Sequence, residues 1–139
     1  MKVKVQWIEG RSFLGESGSG HGVLMDTAAD LGGRNLGPRP MEMLLLGMGG
    51  CTGIDVVMML QKMREKVSGC AMELEAERAG EEPKVFTKIK VTYVVTGKGI
   101  KPANVERAIQ LSAEKYCSAS IMLGKTAEIT HDFRIVEEA

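Results

Sequence analysis

The sequence predicts an α+β fold whose elements run β-β-β-α-β-β-α-β, mainly antiparallel sheet with two helices packed on it. Three observations predict it. Apolar and polar residues alternate near the N-terminus and again in the second half; a nearly continuous apolar stretch, too long for a strand, separates the two regions; and a second helical pattern precedes a final alternating segment.

Val3, Val5 and Trp7 alternate with Lys2, Lys4 and Gln6, the period of a half-buried strand. "EGRSFLGESGSGHG" holds turn residues around a short second strand, and "VLMD" reads as a third. "TAADLGGRNLGPRP" has no periodicity and reads as a loop. The first helix opens near Pro40, a favoured first-turn residue, and basic residues with Gly69 in "KMREKVSG" predict its end near Lys66. Leucines and methionines cover nearly all its sides, so a strongly curved sheet or a second subunit must enclose it.

"CAMELEAER" sets Met72, Leu74 and Ala76 against Glu73, Glu75 and Glu77. After the turn "AGEEP", the segment "KVFTKIKVTYVVTG" puts Val85, Ile89, Val91, Tyr93 and Val95 on one side, which predicts an antiparallel hairpin. Pro102 opens a second helix, "PANVERAIQLSAEKYCSASIML", with Val105, Ile109 and Ala113 on its apolar stripe. "AEITHDFRIVEE" closes the chain as a strand. With no repeat and no low-complexity segment, residues 1–139 are expected to form a single domain.

Composition narrows the function. Apolar residues make up 44% and charged ones 26%, with 18 Lys+Arg against 18 Asp+Glu. That balance leaves no electrostatic footprint for nucleic acid or an anionic membrane. No apolar segment follows the first residues as an export signal would require, and the apolar run from Met43 to Ile54 is interrupted by Asp55 before it reaches spanning length. A cytoplasmic protein with no nucleic-acid or membrane partner is expected.

Three cysteines stand far apart, at 51, 70 and 117, and the histidines are His21 and His131. Neither the paired spacing of a structural zinc site nor a disulfide framework is present, so no metal and no other cofactor is expected. Inert core cysteine or reactive thiol remains. Gly49-Gly50 before Cys51 would break the long helix and place the thiol in the first turn of a renewed one, where free N–H groups favour thiolate. Alternatively, the small residues mark a tight helix–helix crossing. Asp55, one turn beyond Cys51 on the same face, reads as a structural hydrogen-bonding group or a lysine's partner. Of the two other thiols Cys117 is the better partner for Cys51, because both helices should pack on the sheet, whereas Cys70 reads as sheet edge. "GMGGCTG" lacks the strand before it and the Gly-Lys-Ser/Thr ending of a phosphate loop.

The proline, apolar helix and "GGCTGIDVV", taken with the later "SAEKYCSASIML", resemble the OsmC/Ohr family of osmotically inducible and organic-hydroperoxide-resistance proteins. The resemblance covers the whole chain. It implies an OsmC/Ohr-like α+β fold, curved sheets around two long central helices, in an intertwined homodimer. It further implies a thiol-dependent peroxidase acting on small apolar organic hydroperoxides, in which Cys51 attacks the O–O bond, Cys117 resolves the product to a disulfide, and a dithiol reductant restores both. An arginine and a glutamate would keep the first thiol ionised, with Arg11 and Glu42 as the counterparts here. Met41 stands directly after Pro40, where peroxidase members carry the glutamate, and Glu42 falls one position later, about 100° around the helix. The alternative is a non-catalytic dimer of the same fold that binds an apolar small molecule.

Overall fold

The computed structural model describes residues 1–139. The chain divides into two compact units, residues 1–46 and 47–139.

In the first unit β1 (Val3–Glu9), β2 (Ser12–Ser17) and β3 (Gly22–Met25) form an antiparallel sheet in that order. Every β1 residue is exposed in the single chain, Trp7 at 62% and Val3 at 70%. The loop after β3 contains a 3₁₀ turn, Ala29–Leu31, and is pinned by Asp26. Its carboxylate accepts the backbone N–H groups of Thr27, Arg34 and Leu36 at 2.7, 3.1 and 3.2 Å. Those bonds, led by Thr27, hold Asp26 below the usual carboxylate range against the opposing effect of burial.

Helix α1 runs from Pro40 to Lys62 without a break. Pro40 is its first residue, and Glu42, three positions past Arg39, accepts the Arg39 N–H at 2.8 Å, half of a capping box. The predicted glycine break does not form, so Cys51 sits mid-helix, away from any free N–H groups. Instead the glycines admit β4 (Lys66–Arg78). A Cβ on Gly53 would lie 2.3 Å from Met72 Cε, and one on Gly49 would lie 3.1 Å from Leu74 Cδ1. The small residues thus serve a close helix–sheet approach rather than the helix–helix crossing expected as the alternative.

α1 ends earlier than expected. Arg64 takes a left-handed conformation (φ 63°), and Lys66 is already strand. Gly69, predicted as the helix stop, lies at a bulge in β4, opposite Thr96. By length and composition α1 could cross a membrane, longer than its uninterrupted apolar run suggested, although Thr52 and Asp55 within it make side-chain hydrogen bonds to other elements of the chain.

β4 pairs antiparallel with β5 (Phe86–Lys98), as the hairpin reading required. Ile89, Val91, Tyr93 and Val95 are buried, but Val85 lies outside the strand at 38% exposure. A register irregularity between Glu77 and Arg78 turns Phe86 inward in its place. The strand β6 (Glu128–Glu137) joins β5 in parallel, the one departure from antiparallel pairing, and makes β5 the central strand.

The crossover between them is not one continuous helix. α2 (Pro102–Leu111) passes into a π turn over Ser112–Tyr116, and α3 (Ser118–Leu123) starts anew after Cys117. Met48, Val56 and Leu60 of α1 form the core with the β5 residues and with Val105, Ala108 and Ile109 of α2. Each such aliphatic side chain contributes roughly 1.5–3 kcal/mol by its burial.

Candidate functional site

The break in the crossover helix presents Cys117. Its N–H reaches back to the Ser112 carbonyl at 2.8 Å, the wide i→i+5 spacing of a π turn, and the residue itself is extended (φ −81°, ψ 97°). It therefore caps α3 with its sulfur, which accepts the Ser120 N–H at 3.3 Å and the Ser120 hydroxyl at 3.0 Å.

Cys117 is fully buried and Cys51 half-buried, and the Cys51 thiol is near enough to act on the Cys117 proton. Burial, and behind it the neighbouring Cys51, push the Cys117 thiol up; the two Ser120 donors oppose them without prevailing. The two sulfurs that the sequence paired are adjacent.

Beside them runs a buried chain of hydroxyls. Thr52, the residue after Cys51, shares hydrogen bonds of 2.8 Å with both Tyr93 Oη and Ser112 Oγ. Ser112 in turn donates to Asp55 Oδ2 at 2.9 Å. Asp55 is thus the structural hydrogen-bonding group rather than a lysine's partner. Burial, the largest cause, pushes the Tyr93 phenol up to about 12, and Cys117, Cys70 and Asp55 add to it. His131 stacks on Tyr93, ring centres 6.0 Å apart, and its buried Nε2 has no partner. Burial lowers its pKa.

Thr52, Tyr93, Ser112 and Ser120 were missed by sequence reasoning. The available signal was polar residues in apolar company: Thr52 inside the long apolar run, and a serine three residues past Cys117.

Cys70 stands apart from the pair. It lies on the edge strand β4, donates to Met72 Sδ at 3.7 Å, and burial pushes its thiol up. It lines an apolar cleft of about 410 Å³ with Gly50, Gly53, Val57 and Met72. Arg11 belongs to the first unit, in the turn before β2, where it lines a cleft of about 420 Å³ with Phe13, Met25 and Asp26. Glu42 caps α1 there. Neither joins the ion pairs, which are Arg34–Glu9 and Arg134–Glu73.

Residues 32–132 match the family model described as OsmC-like protein, and the chain belongs to that family. Among curated proteins it is 49% identical to Protein YhfA of Escherichia coli K12 over 136 residues, covering 98% of each chain. Among solved structures it resembles a hypothetical protein from Aquifex aeolicus VF5 (28% identity, TM-score 0.87, covering 99% of this chain and 97% of that one). It also shares its fold with the organic hydroperoxide resistance protein OhrB of Bacillus subtilis (18% identity, TM-score 0.64, covering 96% and 98%). The α+β, OsmC/Ohr-type fold expected from the sequence is the one observed.

Proposed function

We propose that the protein is a cytoplasmic, homodimeric thiol peroxidase that reduces small organic hydroperoxides through Cys51 and Cys117. The observation that carries this reading is the nearness of the two thiols, one half-buried and one buried, which is enough for Cys51 to act on the Cys117 proton. The Cys51 thiolate attacks the distal peroxide oxygen, the O–O bond breaks, and the alcohol leaves with a proton while Cys51 becomes sulfenic acid. The Cys117 thiol then attacks that sulfur and water departs, leaving a disulfide. A dithiol reductant takes up the disulfide's oxidising equivalents and returns both thiols. We count Arg11 and Glu42 with the two cysteines among the residues that serve the reaction.

A second reading, a dimer that only binds an apolar small molecule, is favoured by the use of Glu42 as a helix cap and by the apolar lining of the Cys70 cleft. One experiment separates them. Treated with cumene hydroperoxide, the wild type should form sulfenic acid and then a Cys51–Cys117 disulfide by mass spectrometry, Cys51→Ser should form neither, and Cys117→Ser should stop at sulfenic acid. Thiols that stay reduced at millimolar peroxide would leave the binding reading standing.

A further inference from the structure

The hydroxyl chain beside the thiols has a direction. A carboxylate only accepts, so Ser112 spends its single hydroxyl hydrogen on Asp55. Ser112 must then accept from Thr52, and Thr52, its own hydrogen spent, must accept from Tyr93. The order is Tyr93 to Thr52 to Ser112 to Asp55, from a fully buried phenol to a half-buried carboxylate.

Its central link joins the two cysteine-bearing segments. Thr52 follows Cys51 on α1, and Ser112 holds the Cys117 N–H through its carbonyl; the two residues are sixty positions apart. The remaining core between α1 and the crossover is aliphatic, and such packing is not directional. The π turn at Ser112–Tyr116 interrupts the regular hydrogen bonding of the crossover helix just before Cys117. Disulfide geometry tolerates little error, since Cβ atoms must lie within about 3.5–4.5 Å of each other.

We propose that the Thr52–Ser112 hydrogen bond is the positioning element of the thiol pair, holding the Cys51 and Cys117 sulfurs in disulfide-forming register, with Asp55 fixing the direction of that bond. The inference rests on the reading that these two thiols close a disulfide, and it deepens that reading by naming the residues that set their register. Thr52, Ser112 and Asp55 act through the cysteines and touch no substrate.

The test needs no hydroperoxide. In a Cys70→Ser background the protein is equilibrated with a glutathione redox buffer, so that protein dithiol and oxidised glutathione exchange with protein disulfide and two reduced glutathiones. The equilibrium constant reports the effective concentration of one thiol at the other. Thr52→Val and Ser112→Ala should each lower it by about three- to tenfold, the range one hydrogen bond can supply. Thr52→Ser, which keeps the hydroxyl, should restore it to within about twofold of wild type. Asp55→Asn, which keeps an acceptor but loses the charge, should fall between. A folded Thr52→Val with an unchanged constant overturns the inference, as does a Thr52→Ser as poor as Thr52→Val; if Thr52→Val does not fold, an unchanged Ser112→Ala, or a Thr52→Ser as poor as Ser112→Ala, overturns it instead. An unchanged Asp55→Asn overturns the part assigned to Asp55. A wild type that forms the disulfide with glutathione but not with hydroperoxide defeats the peroxidase reading alone, whereas one that forms it with neither defeats both.

Discussion

Cys117 is a sulfur under opposed influences: burial and the Cys51 thiol disfavour its anion, while the Ser120 hydroxyl and N–H stabilise it. The same physics acts on Tyr93, and there it has a consequence for stability. With the folded phenol at about 12 and its ordinary value at 10, both states keep the proton below pH 10. Above it the unfolded chain releases the proton first, so stability falls with rising pH and the contribution is lost through pH 12. By about pH 11 the loss should be on the order of 1–1.5 kcal/mol. Urea unfolding at two alkaline pH values should show wild type losing that much more than Tyr93→Phe, which has no proton to release.

Helix α1 and strand β4 lie close because Gly53 has no side chain where Met72 passes. Gly53→Val meets only the flexible end of Met72, so it should cost about 1 kcal/mol in thermal unfolding, the low end of overpacking. Most of that cost should vanish in a Met72→Ala background, since the colliding methyl is gone and the two sites are coupled. Strands were the elements most legible in the sequence: the alternation of Met72, Leu74 and Ala76 survives intact because period two is a property of neighbouring residues. Val85 misled because a strand irregularity near Arg78 shifts which residue faces inward, and no residue type announces it. The Gly49-Gly50 pair misled in the other direction. Glycine lowers helix propensity by about 1 kcal/mol, but tertiary packing on a 23-residue helix outweighs that. The π turn before Cys117 left no mark on the apolar stripe that Val105 and Ile109 begin, so one helix was expected where two stand.

The single chain leaves much apolar surface bare: Ile54 is 65% exposed, Leu46 61%, Trp7 62% and Met122 72%. Scattered apolar residues are ordinary on a surface, but this many large ones in so small a chain call for a cover. We propose that a second copy supplies it. Sedimentation equilibrium should then give twice the 15.0 kDa chain mass, and Ile54→Arg should shift the protein toward monomer. A wild type that sediments at the single-chain mass would overturn the dimer.

The sequence by itself determined the order of the elements, the faces of the strands, the need for a cover over α1 and the two thiols worth pairing. These follow from spacing along the chain and from the chemistry of residue types, both of which are local. Only the tertiary structure decided that Cys51 sits in mid-helix, that Cys117 caps a helix with its sulfur, and that Thr52, Tyr93, Ser112 and Asp55 join in one chain. A hydroxyl meets its partner sixty residues away through the packing of whole elements, and no local pattern encodes where that packing brings them together.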